Sequence, residues 1–355
     1  MTNSISLFFY LCVYLGSYVL MKIGYNKRIA RLASLLIPTL LASFRYNVGT
    51  DFLTYYNIYV NEGQMTFKDY LFYYNKTEYI SFLFNKIGYL FGSFNLTLFL
   101  FAFFTLYFFT KSVIIIFDEE QGSLIYLLFL LSYFSVSLNI MRQILAVSIT
   151  TYAIIKMTNE NKNKFYLLVI LGILVHNTAI IMMIFKIIYN EMSRLLTSLS
   201  LKNIIRSLFY LFSISICTLL LFKQVFNRYD NYSFSTNEML KNNSMYLSLM
   251  IFIIISLFIK RLVNQNKLNR FYYFLALLGV ILSSIGFFNI YAKRITIYFD
   301  VFSLFLLSQV PYTYKNSIDK EFFKIMIILI YITLFIIQYY FLGFSNIIPY
   351  HYKIL

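Results

Sequence analysis

The chain reads as an all-α polytopic membrane protein with about 12 transmembrane helices, within a range of about 11 to 13. Three observations predict this. Of 355 residues, 60% are hydrophobic and only 12% are charged, and the mean hydropathy is +0.71. Apolar runs of Leu, Ile, Phe and Tyr recur along the whole length with few polar breaks. The runs are continuous and not alternating, which excludes the short alternating segments of a barrel and leaves closed helices to satisfy the backbone in lipid.

Taken in order, the apolar runs predict spans near 5–23, 29–44, 93–116, 123–139, 141–157, 164–176, 177–190, 207–226, 245–259, 271–289, 295–310 and 322–342. The segments either side of Leu138 to Met141 and of His176 are short for full crossings, so they read as tilted, broken or re-entrant. Tyr79 to Phe91 is apolar too, but it is short and carries Lys86 in its middle. It is expected to lie at the interface. The chain then forms one integral membrane domain over 1–355, with an outer loop and interfacial helix over 44–92 and a second outer loop over 227–244.

A net charge of +16 would suggest nucleic acid in a soluble protein. Here the Lys and Arg residues are spread through short loops, where they orient the helices. Placing the N-terminus outside puts most of the 30 basic residues inside. The outward side then receives Arg45, Asp51, Glu78, Asn139, Arg142, Gln143, His176, Lys293 and Arg294. Cys12 and Cys217 lie in apolar runs and offer no CxxC or disulfide pattern. The run Ile5 to Ile23 has no basic residue before it and no small-residue cleavage site after it, so it is expected to be retained as a helix.

Three polar stretches stand out against this background. In "NIMRQILAVSI", residues 139–149, Asn139, Arg142, Gln143 and Ala146 fall at i, i+3, i+4 and i+7, one stripe of a helix. An arginine at membrane depth costs at least about 2.5 kcal/mol, so it faces a partner or a wet cavity, or it snorkels to the interface. "LVHNTAII", residues 174–181, holds one of two histidines, either a buried imidazole satisfied by a carbonyl or a base active near neutral pH. "YAKRITIYFD", residues 291–300, supplies Arg294, and its Asp300, if charged, needs a partner on another helix, a structural pair being expected. No metal-ligand spacing, phosphate loop, nucleophilic serine motif or ATP motif is present. In the first outer loop, "SFRYNVGTDFLTYYNIY", Gly49 permits a tight turn between Arg45 and Asp51, and the tyrosines suit either stacking on sugar rings or an interfacial aromatic belt.

Arg45 followed by "VGTD" and Tyr55, then Glu78 before an apolar helix, "NIMRQILAVSI", "LVHNTAII", "RITIYF" and a closing "IIPY" occur in an order that resembles the EpsG family of Wzy-like polysaccharide polymerases. The resemblance runs from about Phe44 to Tyr350. It implies a GT-C-like membrane glycosyltransferase architecture with an outer-face cavity, in the bacterial cytoplasmic (inner) membrane. The implied activity joins undecaprenyl-pyrophosphate-linked oligosaccharide repeat units into an O-antigen, capsule or exopolysaccharide.

Such a reaction displaces a pyrophosphate lipid and deprotonates a sugar hydroxyl, so it calls for cations and one base. His176 is expected as the catalytic base, with Asp51 as the alternative or as a partner of an arginine. Arg45, Arg142 and Arg294 are expected to bind pyrophosphate, supported by Gln143 and Asn139, while Tyr55 and Glu78 are expected on the glycan. No cofactor, metal or nucleic acid is expected. The expected partners are lipid-linked oligosaccharide, membrane lipid and, as a candidate, a chain-length regulator. A flippase of the same lipid-linked oligosaccharide and a ligase of finished polymer are the competing readings. The flippase would place polar groups deep in a central cavity between related halves, and no internal repeat is visible.

Overall fold

The computed structural model describes residues 1–72, 78–159, 164–186, 189, 244–286 and 290–353. The expected span 207–226 and, apart from Ser244, the expected loop 227–244 lie outside the described residues. Among the described residues the chain is helical throughout, with no strand and a single isolated extended bridge between Arg45 and Tyr352. Four helices, Asn3–Gly24, Phe94–Ile116, Ser248–Gln265 and Ser317–Phe341, are long and apolar enough to cross a membrane by length and composition. The described residues fall into two compact units, Met1–Met182 with Phe322–Leu355, and Met183–Glu321.

In the first unit, α1 (Asn3–Gly24) starts at Thr2, whose hydroxyl accepts from the Ile5 N–H. It packs along α2 (Arg28–Phe44), which carries Pro38 inside and ends where Arg45 turns to extended backbone. The segment expected as the first outer loop contains two helices that hydropathy alone left unassigned, α3 (Phe52–Gln64) and α4 (Phe67–Phe72). The helix α5 (Tyr79–Leu90) matches the segment expected at the interface. Ser93 caps α6 (Phe94–Ile116), and Asp118 caps α7 (Glu119–Phe129) by accepting from the Gln121 N–H at 2.8 Å. Glu119 and Glu120 stand in the first turn of α7, where the helix dipole favours anions.

Of the alternatives left open for the segments beside Leu138 to Met141 and beside His176, tilted, broken or re-entrant, the helices are interrupted at both places, and each interruption has a local cause. From α7 the chain widens into a π-helical turn over Leu130–Phe134 and a short α8 (Ser135–Ser137). It turns over residues 138–140 and continues as α9 (Met141–Asn159). The N–H groups of Asn139 and Ile140 both bond to the Val136 carbonyl, so Asn139 stands in the turn ahead of α9. The expected four-residue stripe is therefore corrected: Arg142, Gln143 and Ala146 lie on α9, and Asn139 does not. Further on, α10 (Phe165–Val175) stops at His176, whose φ of −155° and ψ of 124° are extended, and the chain continues as a 3₁₀ segment over Asn177–Ile184.

The second unit contains α11 (Ser244–Gln265), α12 (Asn269–Gly286) and α13 (Ile290–Leu307). Helices α12 and α13 meet at Gly279, where a Cβ would collide with the Asp300 carboxylate. The partner that Asp300 was expected to need is a hydroxyl: Ser248 on α11 donates to it at 3.1 Å. A reciprocal amide pair, Asn269 with Gln309 at 2.9 and 3.0 Å, holds the far end of the same unit. The first unit resumes in α14 (Ser317–Phe335, of which Phe322 onward belongs to it), and a π-helical turn over Ile336–Phe341 precedes the C-terminal segment.

Candidate active site

Three of the expected residues meet in the first unit around one carboxylate. Glu78 precedes the first residue of α5, Arg142 is the second residue of α9, and His176 is the helix-ending residue of α10. Glu78 Oε2 receives Arg142 Nη1 at 2.6 Å, and Glu78 Oε1 lies 2.6 Å from His176 Nδ1. The backbone N–H of Asn177 also donates to Oε1, at 3.2 Å. The break in α10 makes this arrangement possible. Extended backbone at His176 turns the next N–H toward the carboxylate, and the Val175 carbonyl accepts instead from the Ser81 hydroxyl at 2.7 Å.

A carboxylate that is 7% exposed must be paired to remain ionised. Burial raises the affinity of Glu78 for a proton. The charges of His176 and Arg142 oppose it, as do the hydrogen bonds from His176 and the Asn177 N–H, and together they hold the carboxyl down at about 2. The Arg142 guanidinium lies 5.8 Å from the centre of the Tyr55 ring, within reach of a cation–π contact. Tyr55 itself is 7% exposed, so its ring supports Arg142 more than it offers a surface to a ligand.

His176 is engaged through Nδ1, which has a consequence for its chemistry. A neutral imidazole that donates from Nδ1 to a carboxylate keeps its lone pair on Nε2. The cluster thus unites an oriented base with a cation held by the same anion.

The remaining expected residues occupy other positions. Arg45 is 2% exposed, and its Nη1 donates to the Leu138 carbonyl at the break before α9. Burial lowers Arg45 to about 10 against the pull of Tyr10, Tyr55, Tyr350 and Asp51, and it stays cationic at neutral pH. Asp51 is the residue before α3, where its Oδ1 accepts from Thr50 at 3.4 Å. Between them Gly49 turns at a φ of +96°, and a Cβ there would sit 2.5 Å from Asn139 Oδ1. Asn139 and Gln143 are both buried. Arg294 stands in the second unit, half-buried near the start of α13.

Sequence reasoning assigned Glu78 to the glycan and missed its place between Arg142 and His176. A lone carboxylate before an apolar helix, in a chain with 14 acidic residues, was the only signal available. The Asn177 N–H and the Leu138 carbonyl were beyond such reasoning, because backbone groups carry no sequence mark. Among the described residues no group of three or more His, Cys, Asp or Glu side chains is gathered as metal ligands.

Neither the curated proteins nor the solved structures contain a match to this chain. The family model of the EpsG family matches residues 28–352, which includes all three members of the carboxylate cluster. With helices fit to cross a membrane and a match over nearly its whole length, the chain is a membrane protein that belongs to the EpsG family, a family of Wzy-like polymerases.

Proposed function

We propose that the protein joins lipid-linked oligosaccharide repeat units into a surface polysaccharide, working in the bacterial inner membrane with its reaction on the outer face. The observation that carries this reading is the Glu78 carboxylate bound at once to Arg142 and His176. In the proposed reaction, His176 Nε2 removes the proton from a hydroxyl of the incoming lipid-linked unit. That oxygen forms a bond to the anomeric carbon at the reducing end of the growing glycan. The bond from this carbon to the undecaprenyl pyrophosphate oxygen breaks, and the leaving pyrophosphate keeps the electron pair. Direct displacement inverts the anomeric carbon.

Arg142 stabilises the charge that develops on the leaving pyrophosphate. Its planar guanidinium fork matches the geometry of phosphate oxygens. Glu78 fixes the tautomer and orientation of His176, in the way that a carboxylate orients the histidine of a hydrolase triad. In this reading Glu78, set between Arg142 and His176, orients the base in place of the glycan contact expected of it. Arg45 is assigned to the framework: its guanidinium is buried on the Leu138 carbonyl, four residues before Arg142.

The test is incubation of the purified protein in lipid nanodiscs with a synthetic undecaprenyl-pyrophosphate-linked repeat unit. A product ladder that disappears in His176→Ala is the expected result. Translocation of the unit across liposomes without a ladder would make the protein a flippase. Transfer only to an acceptor other than a lipid-linked unit would make it a ligase. A full ladder from His176→Ala would sink the base assignment.

A further inference from the structure

The closing "IIPY" motif takes no part in the chemistry above, yet residues 345–353 fold back over the loop that carries Arg45 and Gly49. The Gly49 and Thr50 N–H groups donate to the Asn346 and Ser345 carbonyls at 3.1 and 3.2 Å. The Tyr46 N–H donates to the His351 carbonyl at 2.8 Å, and the Lys353 N–H donates to the Phe44 carbonyl at 3.0 Å, enclosing the bridge between Arg45 and Tyr352. Asn95 donates to both the Ser43 carbonyl, at 2.7 Å, and the Lys353 carbonyl, at 3.1 Å.

Tyr350 anchors this segment to two helices. It is 3% exposed, its hydroxyl donates to the Leu41 carbonyl at 2.8 Å, and its N–H donates to the Ser6 hydroxyl at 2.9 Å. Its ring packs edge-on against Tyr10, with centroids 5.6 Å apart, and tilts against Phe9. Both sides of the contact hold residues in the left-handed region: Asn47 and Gly49 on the loop, Ser345 and Asn346 on the segment. Glycine takes this conformation freely, whereas Asn47, Ser345 and Asn346 hold it because their surroundings fix them there.

The loop so held reaches the active cluster in two ways. Arg45 clasps the Leu138 carbonyl, and Gly49 lies against Asn139 and Leu138. Leu138 and Asn139 form the turn from which α9 starts, and Arg142 is the second residue of that helix. The path from Tyr350 to the Glu78–Arg142–His176 cluster is therefore a continuous series of hydrogen bonds and close contacts inside one unit. From this we infer that the segment Ser345–Lys353, anchored by Tyr350, is a positioning element that sets the register of Arg142 on Glu78. The inference rests on the function proposed above.

The experiment uses the full-length protein in nanodiscs and compares wild type with Tyr350→Phe and with the double variant Ser6→Ala/Tyr350→Phe. Neither position touches the cluster, and the single variant keeps the ring contacts should the double variant fail to fold. At a temperature where all three are folded by circular dichroism, kcat of the double variant should fall roughly tenfold while KM stays within about twofold, since small misplacement of a charged group acts on the transition state.

A second readout needs no polymerase activity. Carbethoxylation of His176 by diethyl pyrocarbonate, resolved from that of His351 by mass spectrometry, should be faster in the double variant, because a loosened Arg142 leaves Glu78 less firmly seated on His176. A purely structural role would lower the unfolding temperature and leave both the kcat and the His176 labelling rate of folded protein at wild-type values, and that result overturns the inference. If wild type makes no ladder, the polymerase reading fails, and the labelling rate still decides whether the segment governs the cluster.

Discussion

Replacing Glu78 by Gln removes one charge and keeps the side-chain length, so its consequences follow from the geometry. The carboxylate presents acceptors on both sides: Oε2 to Arg142 at 2.6 Å, and Oε1 to His176 Nδ1 at 2.6 Å and the Asn177 N–H at 3.2 Å. A carboxamide has one oxygen. Placed at the Oε1 position, that oxygen preserves two bonds and turns the NH₂ group against the Arg142 guanidinium. Placed at Oε2, it preserves Arg142 and turns NH₂ against two donors. Breaking a buried ion pair costs about 3–5 kcal/mol, and the preferred placement keeps two neutral hydrogen bonds, so the expected loss of stability is about 3 kcal/mol.

Activity should suffer separately from stability. A positioned general base contributes about 10²–10⁴ in rate, and loss of the orienting carboxylate should remove most of that, about a 10³-fold fall in kcat or about 4 kcal/mol of barrier. The assay is the initial rate of product-ladder formation from a synthetic lipid-linked repeat, run at a temperature where circular dichroism at 222 nm shows the variant folded. A kcat for Glu78→Gln within about threefold of wild type would refute the orienting role, because a base that needs no orienting carboxylate gains nothing from this one.

Three further outcomes are expected. Arg142→Lys keeps a cation but lacks the planar fork, so kcat should fall by about tenfold to a hundredfold; full activity would show that a point charge suffices. Gly49→Ala meets both a φ of +96° and the Asn139 side chain, so chemical or thermal unfolding should show a loss of about 2 kcal/mol or more, with none at the exposed Gly92 taken to Asn as a control. Acid should weaken the first unit through Glu78. Its folded value of about 2 lies below the ordinary 4.5, so its stabilisation is complete above about pH 4.5 and is lost as pH falls toward 2. By linkage this contribution is about 3 kcal/mol. An acid unfolding titration in which Glu78→Gln shows the same pH dependence as wild type between those limits would contradict it.

Much of the fold was legible because hydropathy and helix breaking are local properties. A chain with 60% hydrophobic residues and continuous apolar runs has only helices available in lipid, and the observed bounds of α1, α2 and α6 follow those runs closely. The breaks at Leu138 to Met141 and at His176 were legible because polar residues interrupt otherwise apolar segments. The helices α3 and α4 were not, since they lie in a polar loop where hydropathy gives no signal and packing of α3 against α5 decides. The order of the motifs also pointed to the EpsG family without any structure.

The sequence by itself determined that the chain is a helical membrane protein of this family, and it named Arg142, His176 and Glu78 as notable, because the cost of polar groups beside apolar helix is a property of each residue. Only the tertiary structure decided what those groups do to one another. Glu78 lies 64 residues from Arg142 and 98 from His176, and no local pattern encodes a hydrogen bond across such separations. The same holds for Arg45, whose burial on the Leu138 carbonyl makes it a clamp, and for Tyr350, which reaches Ser6 across 344 residues. Where a charge is spent is settled by which acceptor packing brings within about 3 Å, and packing is a property of the whole chain.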